Sequence, residues 1–464
     1  MRGMNAVRNR IRKRHVSLTA LIPVLLFAGL WLFGETGIYN DSEQYIAMHI
    51  HREPLYPFFL WVLRSALGEA HYLEAARFLQ NLLAAFSVIW LTERVGRHFS
   101  LGEPLKLLVC LLLLAPHVIT PAFALTRLVL SNGVISEALA LPLFYLFVAE
   151  CLDMMFGTGR RSCLRALLYA VLLSLTRGQM MTSILLWALV ATILSLIQKR
   201  WKRIAAVLLC AALAFGCRGL LVKCYNLAFN GHFINNTFGS VGMLANVLYA
   251  ADREDADRIG DDLAREYFDL SWALVEEQQA NYRYAPDGFL NRAAHLEQYH
   301  DMLKFKLIEE AWRARHDSEG FLDYIPENVE SDRIAQILIR DLLPGVAGRW
   351  LYDYLALSAY GLIRSVAVVH PLLNWYALLA YLLVAALTAY TFRKNRRSRA
   401  AWFAVFSLLS ILANVYATSM IIMCLSRYMI YGLPLFYISA LLLVWENVRP
   451  DRSARERSDH AKTR

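Results

Sequence analysis

Ten apolar stretches, set apart by short clusters of Lys and Arg, constrain this chain more than any other feature. A helix needs about 20 predominantly apolar residues to cross a bilayer. The candidate spans are 16–33, 72–92, 104–123, 134–155, 166–175, 178–197, 204–224, 370–392, 401–424 and 433–445. Hydrophobic residues make up 57% of the chain and charged ones 19%, against about 45–50% and about 25% in soluble domains. That balance excludes a soluble enzyme, and 23 Gly, 13 Pro and seven scattered Cys fit no collagenous, disordered or disulfide-scaffold chain. The reading is an all-α, polytopic, multi-pass integral membrane protein.

The net charge of +10 averages two opposite regions. Residues 252–341 carry 22 Asp/Glu and 11 Lys/Arg, a balance of −11, and the remainder carries +21. The basic residues of the remainder gather at 8–14, 94–106, 160–165, 198–203, 393–399 and 449–464. Short basic loops between apolar spans mark the cytoplasmic side, whereas a nucleic-acid surface would gather its cations on one folded domain. No nucleic-acid partner is expected. With the N-terminus inside, every cluster falls on one side if the chain turns outward near Gly34, Thr126, Thr176, Tyr225 and Ser426. The first span, followed by Gly34-Glu35-Thr36, reads as a signal anchor rather than a cleaved signal. Spans 166–175 and 433–445 are short, as is tolerated where a helix lines a buried cavity.

Four regions follow: a transmembrane core over 1–224 with a first outer loop at 35–71, an extracytoplasmic helical domain over 225–369, C-terminal spans over 370–447, and a cytoplasmic tail over 448–464. Helical spacing of Phe289, Ala293, Leu296, Met302, Phe305 and Ile308 supports the outer domain. Tyr352, Tyr354, Tyr360 and Arg364 among aliphatic residues make 350–368 an interfacial helix, with an eleventh span as the alternative. No Cys falls in the outer domain, and Cys217 and Cys224 lie about 10 Å of helical rise apart, too far for a disulfide.

This topology puts the polar residues that packing does not explain on one face. The first loop reads Ile38-Tyr39-Asn40-Asp41-Ser42-Glu43-Gln44-Tyr45, then His49-Ile50-His51-Arg52-Glu53-Pro54-Leu55-Tyr56-Pro57. Thr126-Arg127, Ser136-Glu137, Thr176-Arg177-Gly178-Gln179 and Ser426-Arg427-Tyr428 follow at the same boundary. Ionisable groups at membrane depth are costly and usually line a functional cavity.

The order and common sidedness of Asp-Ser-x-x-Tyr at 41–45, Arg-x-Pro-x-Tyr-Pro at 52–57, Ser136-Glu137, Thr176-Arg177 and Arg427-Tyr428 resemble the GT-C membrane glycosyltransferases. The likeness is to the branch of the protein O-mannosyltransferases and the lipid A aminoarabinose transferase. It implies a polyprenyl-phosphate-linked sugar donor and a glycan, lipid or protein acceptor. The active face would be periplasmic or extracellular, on a bacterial inner (plasma) membrane. It implies Asp41 as general base, with Glu137 the second catalytic carboxylate. Arg177 and Arg427, with Arg52 and Arg127, would bind the donor phosphate, and Tyr45, Tyr56 and Tyr428 would complete the substrate site. No cofactor is required by this pattern, and a divalent metal is left open.

Plainer accounts stand beside these. Asp41 suits the N-terminus of a helix, Glu137 suits a first helical turn, and any one arginine suits an interfacial anchor. His49 and His51 at i, i+2 share a face only on a strand, which argues against a metal pair. The acidic run from Asp252 to Asp262 lacks the glycine and terminal Glu of a calcium loop and reads as a solvated helix face. Two other functions remain open: an O-antigen-type polymerase or ligase, which leans on a late outer loop, and a transporter or lipid flippase, which places polar residues near the midplane.

Overall fold

The computed structural model describes residues 17–123, 129–157, 160–306, 312–313, 315–316 and 324–449. Among these no strand forms, and the architecture is all-helical; one isolated parallel bridge joins Gly37 to Gly133. Six helical stretches are long and apolar enough to cross a membrane: Tyr72–Phe99, Glu137–Phe156, Gly178–Ile197, Trp201–Asn230, Pro371–Lys394 and Arg399–Ser419. The chain is membrane-embedded in character. Shorter apolar helices include Leu18–Phe33 and Gly432–Val448.

We number the helices in chain order: α1 Leu18–Phe33, α2 Ser42–Ile46, α3 Leu55–Leu67, α4 Tyr72–Phe99, α5 Glu103–Phe123, α6 Glu137–Phe156, α7 Arg160–Thr176, α8 Thr182–Ile197 and α9 Trp201–Asn230. Then come α10 Phe238–Ala250, α11 Asp262–Glu277, α12 Phe289–Asp301, α13 Tyr324–Arg364, α14 Pro371–Lys394, α15 Arg399–Ser419, α16 Ser426–Met429 and α17 Gly432–Val448. The first loop is therefore not bare, because α2 and α3 lie within it.

Burial sorts these helices by role. Nearly every residue of α6 is buried, and it packs between α4 and α7. Helices α9 and α14 are apolar yet mostly exposed, as expected of a helix whose solvent is lipid. Residues 350–364 form the end of the 41-residue α13 rather than a separate helix. This part packs on α15, where Ser358 Oγ lies 2.8 Å from Ser419 Oγ and Gly361 faces Val415 and Cys424 so closely that a Cβ would overlap them.

Helices α10, α11 and α12 form a layer against α13. Charged pairs fasten it: Arg292 donates to both oxygens of Asp353 (2.6 and 3.2 Å), Arg349 holds Asp252 and Asp255, and Arg364 holds Glu297. Some of the acidic run expected to form a solvated face is thus tied inward, and Asp255 is buried.

Candidate functional site

Two loops far apart in sequence are zipped together at one end of the bundle. Gly37 N–H donates to Asn132 O (2.9 Å), Val134 N–H donates to Gly37 O (2.8 Å), and Ser42 Oγ donates to Val134 O (2.8 Å). The approach needs a glycine at 133, where a Cβ would lie 2.8 Å from the Tyr39 ring. The zipper sets Asp41, ahead of α2, beside Glu137, the first residue of α6.

Asp41 occupies the N-cap position of α2, yet its side chain makes no capping bond. Its oxygens go to arginines instead: Arg52 Nη2 donates to Oδ1 (2.9 Å) and Arg427 Nη2 to Oδ2 (3.1 Å). Glu137 pairs with Arg177 Nη1 at 2.6 Å, and Arg427 Nε lies 3.7 Å from its other oxygen, near enough for charge and too far for a hydrogen bond. Arg427 therefore bridges the two carboxylates. The tyrosines organise the arginines. Both the Arg177 and Arg427 guanidinium groups lie 4.9 Å from the Tyr428 ring centre, and Arg52 lies 4.7 Å from that of Tyr45. Tyr45 Oη bonds Ser136 Oγ (2.9 Å), which accepts from Arg177 (3.0 Å). Tyr56 stands behind Tyr45, ring edge to face at 5.1 Å, and donates to Gln80 (2.9 Å).

Eight of the nine site residues expected from the sequence thus meet in one cluster; Arg127 lies outside the described residues. The two carboxylates differ in access. The Glu137 side chain is 1% exposed and that of Asp41 24%, so Asp41 is the one a substrate can reach. Burial raises the Asp41 pKa, but Arg52 and Arg427, with Arg177 farther off, outweigh it and hold the carboxyl below its ordinary value.

Three further features escaped the sequence reading. Gln44 Oε1 accepts from both Nε and Nη2 of Arg52 (2.9 and 2.6 Å) and fixes that fork. Arg218, deep in the apolar α9, pairs with buried Glu53, which also accepts from Asn236 and sits against Gly178. An Arg inside a 30-residue apolar helix was the available signal. Phe238, opening α10, lies between Arg52 (5.7 Å) and Lys304 (2.7 Å). Burial, reinforced by Arg52, pushes the Lys304 ammonium well below its usual pKa despite the attraction of Asp301 and Asp41.

His49 and His51 flank this edge, with ring centres 4.4 Å apart. Burial and then Arg52 push His49 down to about 4, and burial with His49 and Arg52 holds His51 well below its ordinary value. Both rings are neutral at pH 7. Among the described residues no three His, Cys, Asp or Glu side chains gather as a metal set. The donor set itself suits an anion better than a divalent cation, because each carboxylate is already engaged by guanidinium groups. Buried Nε atoms of Arg177 and Arg427 lack a hydrogen-bond acceptor, a condition an anion would relieve. No protein-family model, curated protein or solved structure matches this chain.

Proposed function

We propose that the chain is a membrane glycosyltransferase that moves a sugar from a polyprenyl-phosphate donor to a glycan, lipid or protein acceptor. The observation that carries this reading is the cluster of Asp41, Glu137, Arg52, Arg177 and Arg427, with two guanidinium Nε–H groups lacking acceptors. Three arginines against two carboxylates leave one positive charge, which matches the single negative charge of a sugar phosphodiester. On this reading the ten apolar stretches span a bacterial inner membrane, the segment 225–369 lies outside, and the cluster faces the periplasm.

The chemistry follows from these positions. Asp41 accepts the proton of the acceptor hydroxyl as its oxygen attacks the anomeric carbon. The bond from that carbon to the phosphate oxygen breaks, and polyprenyl phosphate leaves with a second negative charge. Arg177 and Arg427 bind that growing charge. A single displacement inverts the anomeric centre. Glu137, too buried to meet the acceptor, pairs with the two arginines and tempers their charge. A transporter would carry its polar residues near the midplane, whereas Asp41, Arg52, Glu137, Arg177 and Arg427 stand in loops or at helix ends. The O-antigen-type alternative leans on a late outer loop, whereas the reachable carboxylate here lies in the first.

The test is transfer from labelled polyprenyl-phosphate sugars by the full chain in liposomes. Asp41→Asn is expected to lower the rate on the order of 10²–10⁴-fold. Unchanged activity in this variant removes Asp41 from the chemistry. Movement of the lipid across the bilayer without donor consumption by the native chain defeats the enzyme reading in favour of a transporter.

A further inference from the structure

A second charged cleft opens at the opposite end of the bundle. Helix α17 runs from the Arg427 end to this cleft, and its 17 residues span about 25 Å, close to the thickness of a bilayer core of about 30 Å. The cleft encloses about 410 Å³ where three segments meet: the end of α4, the linker into α15 and the end of α17. Arg397, Arg399 and Arg449 line it, with Glu446 as its one carboxylate. Glu446 is occupied, because its Oε2 accepts from Ala400 N–H (3.2 Å) at the start of α15. His98 faces away from any ligand role, since its Nε2 lies 2.7 Å from Asp153.

What distinguishes this cleft is that it gathers three arginines around one cavity. Elsewhere at this end Arg94 pairs with Asp153 at 2.6 Å, Arg165 with Glu150 at 2.8 Å, and Lys106 with Glu93 and Glu103 at 3.4 and 3.2 Å. Among the described residues, none of the three cleft arginines makes an ion pair. Two are nevertheless held in place. Arg399 Nη1 donates to the His98 carbonyl (3.0 Å), and the Arg449 guanidinium lies 5.6 Å from the Trp445 ring centre. Trp445 also lines the cleft, and its buried indole N–H has no acceptor. Phe99 and Leu442 supply an apolar wall.

The geometry points to a binding site for the phosphodiester headgroup of an anionic phospholipid. Three arginines and Trp445 line a volume that suits one headgroup, beside the apolar wall of Phe99 and Leu442. Guanidinium forks match phosphate oxygens, and basic pockets between membrane helices hold anionic headgroups through charge and hydrogen bonds. A free phosphate shares the chemistry but leaves the apolar wall unused. This inference is independent of the glycosyltransferase reading, since it concerns neither the same residues nor the same end of the molecule.

The experiment uses the full chain purified in neutral detergent. Phosphatidylglycerol, phosphatidylcholine or inorganic phosphate is added, and retained lipid is counted by native mass spectrometry beside thermal unfolding. The native chain is expected to retain phosphatidylglycerol over phosphatidylcholine and to unfold at higher temperature with it. Arg397→Gln/Arg399→Gln/Arg449→Gln is expected to lose affinity on the order of ten- to hundred-fold. Trp445→Phe, which keeps the ring and removes the donor, is expected to lose several-fold. A control, Arg200→Gln/Lys202→Gln, alters two exposed cations of the same end and should leave retention unchanged. Equal loss in the control makes the effect a general surface attraction and overturns the site. Equal retention by the native chain and the triple and Trp445 variants overturns it as well. Stabilisation by phosphate with none by phosphatidylglycerol overturns the lipid assignment.

Discussion

Glu137→Gln separates stability from donor binding, because the two should move in opposite directions. The Glu137 side chain is 1% exposed, 2.6 Å from Arg177 and 3.7 Å from Arg427. At an effective dielectric constant of about 20 these separations correspond to attractions of about 6 and about 4 kcal/mol, much of which offsets the cost of burying the carboxylate. Removing one member of such a buried pair typically costs about 3–5 kcal/mol. The amide keeps the shape and can still accept from Arg177, so the loss is chiefly one of charge. The same change frees positive charge for an incoming anion. The variant should therefore unfold at lower temperature or denaturant, yet show a lower KM for the phosphate-linked donor, by several-fold. A soluble phosphate analogue should restore more stability to the variant than to the native chain, because a ligand stabilises the state it binds. Thermal unfolding in one detergent, with and without the analogue, and donor titration give both readouts. A rise in donor KM together with the loss of stability would refute the reasoning, since it would mean that Glu137 contributes to donor binding rather than competing with it.

Two other outcomes follow from the same geometry. The Asp41 carboxyl is held below its ordinary value of 3.8, so its ion pairs contribute fully above about pH 4 and are lost as pH falls through the lower folded value. The acid limb of kcat/KM assigned to it should lie below pH 4, and a limb near pH 6 that disappears in Asp41→Asn would contradict this. Arg218→Met leaves the buried Glu53 without its counterion and should cost about 3–5 kcal/mol; adding Glu53→Gln should recover part of it. A double-mutant cycle on unfolding that shows simple additivity would mean that the two residues are not coupled.

The fold class was legible because a bilayer imposes its requirements locally. Runs such as 178–197 and 204–224 announce membrane helices without reference to the rest of the chain. The site was legible for a related reason. Asp41, Glu137, Arg177 and Arg427 are polar residues where spans begin or end, so each stands out against its own neighbours. Pairing was not legible. Arg427 and Asp41 are 386 residues apart, and Arg218 and Glu53 are 165 apart. No local pattern links such partners. Arg218 is a charge inside an apolar run, a signal the sequence reading passed over, and its sequence neighbours give no sign of its counterion. The continuous α13 was obscured differently, because its polar first part and apolar end look like two segments although one backbone helix carries both.

The sequence by itself determined that this chain builds apolar helices, and which ionisable residues sit at their ends. Those properties follow from composition over windows of about 20 residues, where burying unsatisfied backbone in lipid leaves little choice. Only the tertiary structure decided how the charges combine. The zipper at Gly37 and Gly133 brings Asp41 to Glu137, and Arg427 then bridges them while Tyr428 stacks under two guanidinium groups. The physical reason is range. Hydrophobic patterning acts along the chain, whereas an ion pair depends on a few ångströms between segments that meet only when the whole bundle has packed.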